Sequence, residues 1–145
     1  NSPADPMSLA AEPRTLRSFF RAQLAALVQN IAGAQFAALA SEDGMLLATA
    51  QSAEAQDTDR TSALVCSLSA LARTTAAECT LGELTGIRIE GQQQHLFIEP
   101  FDTQQDSGPK RRLLYIILAG HADTTGLRSA TAAFIAATRQ RLNPS

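Results

Sequence analysis

The side chains able to carry chemistry in this chain are few: Cys66 and Cys79, His95 and His121, the adjacent acids Glu42 and Asp43, and several arginines. A cysteine becomes a nucleophile when it stands exposed beside a histidine. Both cysteines here fall in an alanine-rich predicted helix, where a small buried thiol is the expected state. Their separation along a continuous helix is roughly 19 Å, against the roughly 7 Å between Cα atoms that a disulfide tolerates. Reduced thiols suit a cytoplasmic location. His95 opens a predicted strand and His121 follows one. Neither has a cysteine or carboxylate at ligand spacing, so no metal site is expected. Glu42 and Asp43 read as solvated turn residues and not as a catalytic pair. The chain contains no GxxxxGK[ST] and no GxGxxG, hence no signal for a phosphate-cradling loop and no implied cofactor. No catalytic residue is expected.

The basic residues form two groups. Arg14, Arg17 and Arg21 line one side of the first predicted helix, and Lys110-Arg111-Arg112 precede the last strand. A solvated helix face and a charged strand start account for them. An acidic or phosphorylated partner is the alternative, with Arg14, Arg17, Arg21 and Arg73 as its candidate contacts.

Composition narrows the classes further. At 145 residues, 45% apolar and 18% charged, the chain reads as one globular domain large enough to fold without disulfide staples. A net charge of −2 and a pI near 5.6 argue against nucleic-acid binding, which needs a basic surface. No apolar run reaches the length of a membrane span, so no membrane insertion is expected. Residues 1–12 read as a cloning remnant and flexible N-terminus with Met7 as the natural start, 13–142 as the domain, and 143–145 as a tail.

The elements that must position these residues follow from periodicity. Leu16, Phe20, Leu24, Leu27, Val28 and Ile31 recur at three and four over Pro13 to Ala32, one buried helical stripe that Pro13 starts and Gly33 ends. The segment GAQFAALASEDGMLLATA then places two apolar runs, 34–40 and 45–50, around Asp43-Gly44, a strong signal for a type I′ hairpin. A second helix spans about Asp59 to Cys79, capped by Asp57 or Thr58. Strands follow at 86–90, 95–101 and 113–119, the last the most apolar and so central. A polar link, 102–111, separates the last two. Thr124 to Leu142 forms the last helix, capped by Asp123 or Thr124. It buries Leu127, Thr131, Phe134, Ile135, Thr138 and Leu142. The fold class is α+β: α-β-β-α-β-β-β-α, with a five-stranded, mainly antiparallel sheet and helices on both faces.

The second helix has two packing faces. Leu64, Leu68, Leu71 and Thr75 make the one expected on the sheet. Ala63, Cys66, Ala70, Thr74 and Ala77 make a stripe of small residues about 130° away. Ser62, Ser69 and Arg73 are expected in solvent. The small-residue stripe is either a weakly polar surface or a contact with another subunit. The short strand Ile87-Arg88-Ile89-Glu90 favours the contact, because an edge strand is a liability unless paired or charged. Two copies paired antiparallel about Ile89 would set Arg88 opposite Glu90 of the partner subunit, an attractive cross-strand pair.

The element order, the Gly33-Ala34 start of the first strand, the Asp43-Gly44 turn, the Leu81-Gly82 step and the strand leading into Gly126-Leu127-Arg128 together resemble the Roadblock/dynein light chain family over about Leu16 to Leu142. The polar link at 102–111 is longer than that pattern. The resemblance implies a profilin- or longin-like fold without catalytic activity, dimeric through the second helix and third strand. It implies a platform for small Ras-like GTPases, a GTPase-activating partner in bacterial polarity, or an adaptor on dynein and lysosomal complexes. An arginine supplied to a GTPase accelerates hydrolysis strongly. A ligand-sensing module similar to PAS or GAF domains is the rival reading. It requires a roomy cavity between sheet and helix with convergent polar groups.

Overall fold

The most apolar run of the chain lies in the middle of its sheet. The computed structural model describes residues 7–43, 45–52, 58–103, 112–120 and 124–143. They form α1 (Met7–Asn30), β1 (Ala34–Ser41), β2 (Leu46–Gln51), α2 (Thr58–Glu78), β3 (Ile87–Glu90), β4 (His95–Asp102), β5 (Arg112–Ala119) and α3 (Thr124–Leu142). The sheet runs β2-β1-β5-β4-β3 with every described pairing antiparallel, an α+β sandwich as expected. Helix α1 starts six residues before Pro13, through the helix formers Leu9, Ala10, Ala11 and Glu12, so this proline is an interior residue and not the first.

Alternation along the strands sorts the core into two layers. Tyr115, Ile117, Ala37 and Leu39 face α1 and α3, where they meet Phe20, Leu24, Leu27, Phe134 and Ile135. Tyr115 and Phe134 stack with ring centroids 5.2 Å apart. Leu114, Ile116, Phe36, Ala38 and Ala40 face the other way, where α2 is the helix that covers them.

Helix α2 sits on the sheet by a different face from the one its leucines suggest. Ser62 and Ser69, expected in solvent, are 6% and 1% exposed, and with Val65 and Ala76 they form the buried stripe. Leu64 and Leu71, expected on the sheet, are 63% and 67% exposed. Size explains the inversion. Beneath α2, β1 presents Ala38 and Ala40, and only small side chains let the helix backbone come down onto them. Both serine hydroxyls are buried without a hydrogen-bond partner, so close approach is favoured here over polar satisfaction.

The β1–β2 connection also departs from the two-residue form. The Ser41 N–H donates to the Met45 carbonyl at 2.8 Å, which leaves three residues in the loop. The Met45 N–H donates to Ser41 Oγ at 3.0 Å, and the Ser41 hydroxyl donates in turn to the Asp43 carboxylate. Gly44, the residue on which the type I′ expectation rests, lies outside the described residues. So do Asp57 and Asp123 and the capping side chains of Thr58 and Thr124.

Two positions hold the left-handed backbone conformation. Gly33, in the turn between α1 and β1, has φ 80°, and its carbonyl accepts from the Gly120 N–H at 2.8 Å. A Cβ there would meet Gly120 at 3.2 Å. Thr80 ends α2 at φ 53°. The Leu81 N–H bonds the Ala76 carbonyl at 2.9 Å and the Thr80 N–H bonds Ala77 at 3.2 Å, a Schellman cap built on a β-branched residue. The two sites carry opposite predictions. Thr80→Gly relieves about 1–2 kcal/mol of left-handed strain and adds about 0.5–1 kcal/mol of unfolded-state freedom, a net gain of about 0.5–1 kcal/mol. Gly33→Ala loses about 1–3 kcal/mol. Urea unfolding of the two variants beside the native chain checks both signs.

Candidate functional site

The β3 edge and the uncovered flank of α2 lie on the same face of the sheet. Ile87 pairs across from Ile98 and Ile89 from Leu96, which turns both isoleucines to the α2 side. Arg88 pairs across from Phe97 and Glu90 from His95, so these two charges stand on the opposite face. There the Arg88 guanidinium lies over the Phe97 ring at 4.4 Å. Hydrogen bonding alternates along an antiparallel ladder. Because the Gly91 N–H bonds Gln94 at 2.8 Å, the backbone groups of Ile87 and Ile89 point inward to β4. Those of Arg88 and Glu90 point out along the free edge. Ile89 is 44% exposed.

Which flank of α2 turns toward that edge is set by its charged contacts. Arg73 reaches Glu42 at 3.6 Å, and burial together with the charge of Asp43 pushes the Cys66 thiol above its usual range. The Arg73–Glu42 pair places the Cys66/Arg73 flank on the side of the β1–β2 turn. The flank carrying Leu64, Leu68 and Leu71 therefore faces the β4–β3 side. Ala63, Ala70, Thr74 and Ala77 are exposed, turned away from the sheet. Thr74 and Thr75 donate to the Ala70 and Leu71 carbonyls, which satisfies both hydroxyls within the helix.

The expected basic contacts divide three ways. Arg17 and Arg21 are exposed on α1, and the Arg14 side chain lies outside the described residues. Arg73 is engaged with Glu42. Arg112, from the basic run before β5, is a structural hub: its Nε lies 3.4 Å from Glu42, its Nη1 contacts Glu83 and lies 3.4 Å from Asp102, and its Nη2 donates to the Leu84 carbonyl at 3.0 Å. One planar guanidinium thus ties the β1–β2 turn, the end of β4 and the segment after α2 together. Lys110, Arg111 and His121 lie outside the described residues. Glu42 is an ion-pair partner, and Asp43 is an exposed turn residue whose carboxyl the Ser41 hydroxyl holds below its usual range. The cysteines correct an expectation. Cys66 is half-buried and Cys79, just past the end of α2, is exposed, both as free thiols. Among the described residues no cluster of His, Cys, Asp and Glu is placed to hold a metal, and no helix is long and apolar enough to cross a membrane.

A second feature had little signal in the linear order. Between α3 and the β3–β5 part of the sheet opens a cleft of about 530 Å³, lined by Arg88, Phe97, Glu99, Tyr115, Arg128 and Thr131 among others. Burial pushes the Tyr115 phenol up to about 12, and the nearby Thr131 hydroxyl pulls it partly back. The geometry falls short of a hydrogen bond, and the phenolic oxygen is buried without a partner. Glu99, across from Tyr115 on β4, is half-buried. Its burial raises the carboxyl above the usual value and Arg139 opposes the rise. The polar hydroxyl of Tyr115 inside an otherwise apolar strand is the only hint of this cleft in the sequence.

The chain belongs to the Roadblock/LC7 domain family, whose model matches residues 22–103. Solved structures share the fold. A Roadblock/LC7 domain from Streptomyces avermitilis superposes with a TM-score of 0.67 at 24% identity, covering 84% of this chain and 96% of that one. MglB from Myxococcus xanthus gives 0.66 at 15%, covering 89% and 88%. The gliding protein MglB from Thermus thermophilus gives 0.65 at 13%, covering 90% and 91%. A comparison with curated proteins finds no match.

Glu99 supplies a prediction with a definite sign. Its folded-state pKa is raised, so the folded chain holds this proton more tightly than the unfolded chain, and stability falls as pH rises above the usual carboxyl range. Glu99→Gln cannot ionise. Its melting temperature is expected to match the native chain near about pH 4 and to exceed it near about pH 7. Calorimetry at the two pH values checks the divergence.

Proposed function

We propose that this chain is a non-catalytic, dimeric regulatory or scaffold protein that serves a small Ras-like GTPase in the cytoplasm. The half-covered sheet face carries the reading. Five strands about 4.8 Å apart span roughly 20 Å, about twice the width of one helix, and α2 is the helix on that face. A second copy paired through β3 would complete it. Antiparallel pairing about Ile89 joins the outward backbone groups of Arg88 to those of Glu90 of the partner subunit and brings the two side chains level. Ile87 and Ile89 then continue the apolar face across the seam. The two α2 helices stand side by side over a ten-stranded sheet, their Leu64, Leu68 and Leu71 flanks turned toward each other. Ala63, Cys66, Ala70, Thr74 and Ala77, the stripe read from the sequence as a subunit contact, border the outward surface of this helix pair in this arrangement. A layer of small side chains with few charges suits close docking of a folded partner, and it is where a GTPase would sit. Family membership supports this reading, since it implies a platform for such GTPases.

The dimer and the partner are tested separately. Light scattering at tens of micromolar is expected to give twice the chain mass. Arg88→Glu and Glu90→Arg each place like charges across the seam and are expected to weaken association by about 0.4–2 kcal/mol over the two symmetric pairs. The double variant restores it. A monomeric native chain, or a double variant no tighter than the singles, overturns the dimer. For the partner, the chain is mixed with Ras-like GTPases of its source cell, with co-purification and nucleotide hydrolysis as readouts. At least one is expected to bind or change rate. No capture and no rate change overturn that part.

A further inference from the structure

We infer that the cleft between α3 and the β3–β4 edge binds a small organic anion with an apolar body, its charged head held at the rim by Arg88 and Arg128. The site lies on the sheet face opposite α2, and of its two arginines only Arg88 belongs also to the β3 seam proposed above. Three observations converge on it. Its volume of about 530 Å³ falls within the range of small-molecule sites. Two guanidiniums stand at its rim, and among the described residues neither is in an ion pair with a carboxylate. Arg88 is instead laid on the Phe97 ring, which holds it in place.

The third observation is at the floor. Tyr115 is fully buried, lines the cleft, and its hydroxyl has no hydrogen-bond partner. A buried polar group left unpaired calls for an explanation, and the open cleft beside this one offers it. Thr131, also buried, stands beside it. Glu99 on the same floor sets the orientation. Its carboxyl repels an anionic head from the interior and leaves the arginines as the place for it. The apolar body then enters between Phe97 and Leu127, over the floor that Tyr115 closes. These are the convergent polar groups beside an apolar wall that a ligand-sensing module requires.

The test uses the full chain and two dyes of similar shape, anilinonaphthalene sulfonate, which is an anion, and phenylnaphthylamine, which is neutral. Fluorescence titration is expected to show saturable binding of the sulfonate, one per chain, and weaker binding of the neutral dye. Arg128→Ala is expected to weaken the sulfonate about tenfold, the loss of one charge-assisted contact. Tyr115→Phe removes only the unpartnered hydroxyl and is expected to melt no lower than the native chain. Both residues lie away from the β3 seam, so the result does not depend on dimerisation. The proposal is overturned by non-saturating binding, by equal affinity for the neutral dye, or by an Arg128→Ala variant that binds as the native chain does. It is also overturned if Leu64→Asp with Leu71→Asp abolishes the signal, which assigns the dye to the exposed flank of α2.

Discussion

Strand β5 is apolar along its length, and both of its faces must be shielded from water. That constraint organises the molecule. On one face α1 and α3 lie side by side and together cover the strands from β2 to β5. On the other, α2 covers the middle of the sheet and leaves Ile87, Ile89 and Leu96 at its margin with only partial cover. A single helix is too narrow for five strands. The asymmetry is a direct consequence of dividing three helices between two faces, and it leaves apolar surface at the β3 edge, where the outward backbone groups of Arg88 and Glu90 have no neighbouring strand.

The way α2 is seated sharpens this. Its contact stripe is serine, valine and alanine, so the helix rides low over Ala38 and Ala40 and keeps its leucines out of the contact. Burying those leucines beneath it would have satisfied hydrophobicity within the chain and raised the helix from the sheet. The arrangement found leaves Leu64 and Leu71 in water. The ion pair of Arg73 with Glu42 and the Arg112 hub hold that orientation and anchor the chain on its way from α2 to β3. The exposed leucine flank is thus held in place by polar contacts on the opposite side of the helix.

The face covered by two helices has its own opening. Where α3 diverges from the β3 edge, side chains from four elements meet around Tyr115. A buried phenol with no partner and a half-buried carboxylate are costly to keep together, and two exposed arginines stand beside them. The two faces of the sheet therefore differ in chemistry: one offers apolar surface for a macromolecule, the other a charged, partly enclosed cleft.

Much of the fold was legible in the order of residues. The run Leu113–Leu118 and the α3 stripe from Leu127 to Thr138 each place an element within one residue of its observed bounds, and the three-four spacing of Phe20, Leu24, Leu27 and Ile31 places α1 with its start six residues late. They do so because periodicity is a local property. The rotation of α2 was not legible, because it depends on which side chains of β1 lie beneath it, and serine there reads as solvent when polarity alone is weighed. The cleft was not legible because Arg88, Glu99, Tyr115 and Arg128 have no shared spacing and meet only when β3, β4, β5 and α3 are brought together. Local patterns of hydrophobicity and turn chemistry determined the elements, their order and the family. Which faces stay bare, and which polar groups converge, is a matter of size and distance between remote residues, and only the packed chain decides it.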